Sequence, residues 1–113
     1  MKLTPDLLAA SYTFLRSVEP FKAWKMPPAH VVKFKIIRNP AIHADFGIEK
    51  GRPVIRVSAN GAGTTVTLLS VMAHEMAHYR QHLTGKKDTH GASFQAMAKR
   101  ICAVHGCFDP KTF

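Results

Sequence analysis

Apolar residues recur at helical spacing in three stretches of this chain and alternate in between, and the residues separating them mark where elements begin and end. Leu7, Leu8, Tyr12, Leu15 and Val18 form one helical stripe. Thr4 stands where an N-cap is wanted and Pro5 at the first helical position, so the spacing predicts a helix from Pro5 to about Val18. Pro20 and Pro27-Pro28 break the pattern and predict a loop carrying Lys22, Trp24 and Lys25. From His30 to Arg38, Val32, Phe34 and Ile36 alternate with Lys33 and Lys35, the signature of a half-buried strand. A run from about His43 to Ile48, the turn Glu49-Lys50-Gly51-Arg52 and a run from Pro53 to Ser58 predict a hairpin.

Asn60-Gly61-Ala62-Gly63 closes the strand region, and Thr64 or Thr65 can cap a long helix ending near Leu83, with Gly85 as its stop. The first half of that helix, Val66 to Ala77, is apolar on nearly every side and is expected to run buried through the core. A last helix from about Gly91 to His105 turns Phe94, Met97, Ala98 and Ile101 inward. The order predicts an α+β fold: an N-terminal helix, a three-stranded, mainly antiparallel sheet and two further helices. At 113 residues the chain has room for one domain, 1–113, built on one core.

Charge changes the picture more than composition does. Sixteen Lys and Arg against seven Asp and Glu give +9, and a chain this basic is expected to meet a polyanion, nucleic acid before an acidic membrane surface. Three groups could make such contacts: Lys22, Trp24 and Lys25; Lys33, Lys35 and Arg38; and Arg80, Lys86 and Lys87. Trp24 could stack on an unpaired base or simply cover the core. Pro5 and Asp6 interrupt any signal-peptide core, and no stretch approaches the ~18 apolar residues of a membrane span. A cytoplasmic monomer that associates with the nucleoid or with DNA is therefore expected. Cys102 and Cys107 are too few for a disulfide framework, and with His105 they make only a weak second metal cluster.

Set into the apolar helix is His74-Glu75-Met76-Ala77-His78. Residues four apart share a helical face, about 5–6 Å from each other, so both imidazoles can reach one Zn²⁺. Glu75 points elsewhere around the helix, the place for a base acting on zinc-bound water. With seven His in the chain, roughly 0.01 occurrences of H-E-x-x-H arise by chance, so chance is a poor explanation. Two core histidines beside a buried carboxylate would bury three ionisable groups in an apolar helix for no return.

A catalytic zinc usually takes a third protein ligand and leaves one position for water. No Glu follows Glu75, and Gln81 stands where the metzincin pattern has a glycine. His82 lies eight residues beyond His74, about 12 Å along the helix, too far to share an ion with both His74 and His78. His105 is sufficiently explained by the end of the last helix. His90 is left, with Asp88 as a competing ligand or its hydrogen-bonding support.

His74-Glu75-Met76-Ala77-His78 followed by His90-Gly91-Ala92-Ser93-Phe94 resembles the SprT-like family, which includes the Spartan protease, over about Pro53 to Ile101. The resemblance implies a zincin-like fold, His74, His78 and His90 as ligands of one zinc ion, and Glu75 as catalytic acid/base. It also implies a peptidase acting on proteins bound or cross-linked to DNA. The four-Cys zinc ribbon of many relatives is not matched here, so any DNA contact would fall to the catalytic domain. Tyr79 is an oxyanion candidate, and Pro53 to Ser58 the strand expected to line the cleft and pair with substrate. Two rivals remain: a DNA-binding protein with a structural, four-ligand zinc, and a hydrolase of non-peptide amides, whose deformylase pattern would add a Cys before His74.

Overall fold

The computed structural model describes residues 2–60 and 62–113. Helix α1, Pro5–Arg16, starts as its sequence dictates: the Thr4 hydroxyl accepts from the Leu7 N–H at 3.1 Å, and Pro5 fills the first turn. Its inner stripe of Leu8, Tyr12 and Leu15 is fully buried, each apolar side chain contributing about 1.5–3 kcal/mol. The region between the prolines is more ordered than its sequence predicts. Phe21–Trp24 forms a short helix, α2, closed by Lys25 in the left-handed conformation at φ 53°. The Tyr12 hydroxyl donates to the Pro27 carbonyl at 2.6 Å and Arg16 Nε to the Met26 carbonyl at 2.7 Å, which lash this segment to α1.

A 3-10 turn, Ala29–Val31, takes up the start of the expected first strand, so β1 is Lys33–Ile37. The strands β2, Ala44–Glu49, and β3, Arg52–Ser58, form the expected hairpin. Lys50 at φ 51° and Gly51 at φ 77° give its two-residue turn the mirror-image geometry that matches strand twist. The sheet order is β1-β3-β2, with β1 parallel and β2 antiparallel to β3. The sheet is thus mixed where a mainly antiparallel one was expected. Residues 38–43 carry the chain past the end of β3 to the far edge, and β3 returns between its two predecessors.

Phe34, Ile36, Ile55, Val57, Ala44 and Phe46 face the helices from the sheet. Helix α3, Thr65–Leu83, packs on α1 and β2 and carries Leu68, Met72, Ala73, Met76 and Ala77 into the core. Thr64 caps it, accepting from the Thr67 N–H at 3.1 Å. At its other end the Lys86 N–H reaches the Gln81 carbonyl at 2.8 Å and the Gly85 N–H the His82 carbonyl at 3.2 Å, with Gly85 at φ 72°. That doubly bonded stop requires a residue without a Cβ penalty. Helix α4, Ala92–Val104, packs against α3 through Phe94 and Ile101. No described helix is long and apolar enough to cross a membrane.

Candidate metal centre

Because α3 is stopped cleanly at Leu83, the chain can turn back and set His90 over the face that carries His74 and His78. The three Nε2 atoms form a nearly equilateral triangle: 3.2 Å from His74 to His78, 3.1 Å from His78 to His90 and 3.4 Å from His90 to His74. Four-coordinate zinc with Zn–N bonds of ~2.0–2.1 Å demands nitrogens about 3.3–3.4 Å apart. Each Nε2 has one in-plane lone pair or one hydrogen, so three of them cannot satisfy one another around a triangle. A shared cation does what hydrogen bonding cannot. These residues are close enough to hold a metal ion, compatible with zinc, and among the described residues no carboxylate or thiol joins them.

Phe94 holds the triangle from beneath. Its ring is stacked on His78 at 4.6 Å and tilted against His74 at 4.8 Å, and meets His90 edge-on at 5.0 Å. Burial, with His78 and His90 adding to it, pulls the His74 pKa down to about 4, and burial lowers that of His78 too. Burial thus favours the neutral, metal-binding form of His74 and His78.

Asp88 lies outside the cluster. Its Oδ2 accepts from the Ser93 N–H at 2.7 Å, while Oδ1 accepts from the Ser93 hydroxyl and, at 3.3 Å, from Gln81 Nε2. The hydrogen bonds from Ser93 hold its carboxyl below the usual carboxylate range. Gly91 is required beside it, because a Cβ there would come within 2.8 Å of Asp88 Cβ and 2.9 Å of its carbonyl oxygen. Gln81 is buried, and its Oε1 lies 2.8 Å from His78 Nδ1. Its polar side chain on a helix looks like surface in the sequence, so its place beside His78 was not legible there.

Glu75 is only 4% exposed, and burial, reinforced by the charge of Asp45, pushes its pKa up to about 8. It shares with His74 and Val71 a cavity of about 340 Å³ whose other lining includes His43 and Ala44 from the start of β2 and Phe113 from the C-terminal segment. Neither His43 nor Phe113 carried a motif signal. The arrangement offers a carboxyl of high proton affinity beside a three-nitrogen cation site, in a cleft open to a ligand.

Two expectations about this cleft are corrected. Tyr79 is buried, with its ring stacked on Phe46 at 5.1 Å, and belongs to the core, not the cleft. The strand Pro53 to Ser58 cannot receive a substrate backbone, because β3 is hydrogen-bonded on both sides. Of the two edge strands, β2 is the one that borders the cleft, through Ala44 and the preceding His43. The Ser58 N–H bonds the His43 carbonyl at 2.7 Å, and the alternation of an antiparallel ladder then leaves the N–H and C=O of Ala44, Phe46 and Ile48 facing outward.

The basic residues scatter, with one gathering. Lys22, Lys25 and Arg16 line a second concavity of about 380 Å³. Arg16 stood in the helix pattern and was not singled out for charge. Lys33 and Lys35 lie on the outer face of β1, and Lys35 is paired with Glu49 at 3.0 Å. Arg38 is exposed beyond that strand, and Lys86 and Lys87 are exposed after α3. Arg80 donates to the Trp24 carbonyl at 3.0 Å and lies over the Trp24 ring at 5.0 Å, so that face is closed to a base. His82 is exposed. The His105 ring donates to the Glu19 carbonyl at 2.7 Å, and Cys102 and Cys107 are free thiols that join no metal cluster among the described residues.

A profile of the SprT-like family matches residues 27–112, a wider span than the two motifs suggest. Comparison with curated proteins and with solved structures gave no match.

Proposed function

Since the chain belongs to the SprT-like family, we propose that it is a zinc-dependent endopeptidase in which His74, His78 and His90 hold the ion and Glu75 is the catalytic base. The observation that carries this reading is the triangle of Nε2 atoms 3.1–3.4 Å apart beside a buried carboxyl in an open cleft. Zinc, when bound, supplies Lewis-acid chemistry, acidifying water and polarising a carbonyl. Glu75 takes a proton from the attacking water and delivers it to the departing amine. Its raised proton affinity suits both transfers near neutral pH. An extended substrate segment adds to the free edge of β2, with the N–H and C=O of Ala44, Phe46 and Ile48 as its partners.

We further propose that the substrates are proteins on or cross-linked to DNA. Family resemblance suggests this, and the +9 charge agrees with it. The concavity of Arg16, Lys22 and Lys25 is the best-gathered place for phosphates. The rival reading as a closed structural zinc site is disfavoured by the lack of a fourth ligand among the described residues.

The test is cleavage of casein and of a DNA-bound protein, with and without single-stranded DNA, by the wild type and by Glu75→Gln, with zinc content measured on both. The variant is expected to keep its zinc and lose turnover by at least ~10²-fold. Equal cleavage by the variant would remove Glu75 from the chemistry. A wild type that holds zinc and cleaves nothing would favour the non-catalytic rival.

A further inference from the structure

We propose that Gln81 is the positioning residue of the metal centre: it fixes His78 in the tautomer whose Nε2 is bare, and ties that ligand to the loop carrying His90. The inference rests on reading the three imidazoles as ligands, and it follows from a chain of hydrogen bonds whose polarity has one solution. The Asp88 carboxylate can only accept. The amide group of Gln81 that lies 3.3 Å from Asp88 Oδ1 is therefore its NH₂, Nε2. Ser93 uses its hydroxyl hydrogen on the same Asp88 oxygen, so at 3.0 Å it accepts from Gln81 Nε2 as well.

With its nitrogen engaged twice, Gln81 presents Oε1 to His78 Nδ1 at 2.8 Å. An amide oxygen accepts, so Nδ1 must bear the hydrogen. A neutral imidazole protonated at Nδ1 has its lone pair on Nε2, the atom that lies 3.2 and 3.1 Å from its counterparts on His74 and His90. The other arm of the network reaches the third ligand. Asp88 also accepts from the Ser93 N–H through Oδ2 and from the Gly91 N–H through its carbonyl, at 2.7 and 2.6 Å, so it closes a tight loop around His90 by bracing the residues that follow it. Gln81 is 4% exposed, a buried amide whose nitrogen and oxygen are both engaged between α3 and this loop.

The experiment compares the full chain with Gln81→Leu, Gln81→Glu and the double variant Gln81→Glu/Asp88→Asn. Zinc affinity is measured by chelator competition, and the His78 tautomer by ¹⁵N NMR of metal-free protein at pH 8. Gln81→Leu is expected to weaken zinc binding by about 10–100-fold and to release His78 from the Nδ1–H tautomer. Gln81→Glu alone sets two carboxylates against each other and is expected to weaken zinc binding too. Adding Asp88→Asn reverses the polarity of that arm and should recover most of the affinity, which a residue that only fills space would not do. The proposal is overturned if Gln81→Leu leaves both tautomer and affinity unchanged, or if the double variant binds no better than Gln81→Glu. A wild-type chain that takes up no zinc would sink the metal reading instead, and the tautomer, read without metal, would still decide the role of Gln81.

Discussion

Burial raises the proton affinity of Glu75, and that has a cost measurable without any substrate. A carboxyl whose folded pKa is about 8, against an ordinary value of 4.5, contributes stability that is fully present below the ordinary value and is lost as pH rises through the folded one. His74, lowered to about 4, acts in the opposite sense: its contribution is present above an imidazole's usual value of 6.5 and lost as pH falls toward 4. The two oppose each other between about pH 4.5 and 6.5, and above that only Glu75 counts. Metal-free protein should therefore lose roughly 2 kcal/mol of stability between pH 6.5 and 8. Urea denaturation should show the loss in the wild type and not in Glu75→Gln; a flat wild-type profile would mean that the carboxyl is better solvated than its burial implies. At the same scale, His90→Ala should lower zinc occupancy sharply in chelator competition, whereas His82→Ala, altering an exposed ring outside the triangle, should leave it as it is.

Element ends place this site more than element interiors do. The stop of α3 at Gly85 sends the chain back, and the packing of Gly91 on Asp88 fixes where His90 emerges. Gly91→Ala should therefore cost about 1–3 kcal/mol of stability and weaken zinc binding together, seen as a lower thermal midpoint and a weaker chelator-competition constant; unchanged values for both would show that the loop gives way freely. These ends were also the most legible part of the sequence. Thr4, Thr64 and Gly85 act where their chemistry predicts, since capping is a local property. The short helix Phe21–Trp24 was hidden between prolines, because four residues are too few to show a helical period, and the bonds from Tyr12 and Arg16 that anchor the chain just after it, at Pro27 and Met26, come from distant positions. Alternation identified the inner face of β1 but could not name its neighbour, so the parallel pairing with β3 was not predicted. His74, Glu75 and His78 could be picked out because one helix carries all three. Gln81 and Phe94 could not be given their places under the imidazoles, which depend on how α4 folds back.

Across the whole molecule, positive charge goes largely unanswered. Of sixteen Lys and Arg, only Lys35 and Arg56 have carboxylate partners among the described residues. If the concavity of Arg16, Lys22 and Lys25 receives phosphates, Lys22→Glu/Lys25→Glu should weaken DNA binding and flatten its dependence on salt by about two units of log–log slope, without altering cleavage of a DNA-free substrate. Lys35→Glu should do less, since Glu49 already answers that cation. Fluorescence anisotropy over a salt series separates the two, and equal effects would point to diffuse attraction in place of a site. If the chain is the peptidase proposed, the exposed margin of β2 has a consequence for which targets it would cut. A polypeptide can lie along it only where its own amides and carbonyls are unclaimed, as they are in a loosened or collapsed region and not in an intact helix or sheet. Selection at this cleft would then be a reading of conformational state: under the proposed function, a well-folded neighbour on the same DNA would be spared by its own internal bonding, whatever residues it displays.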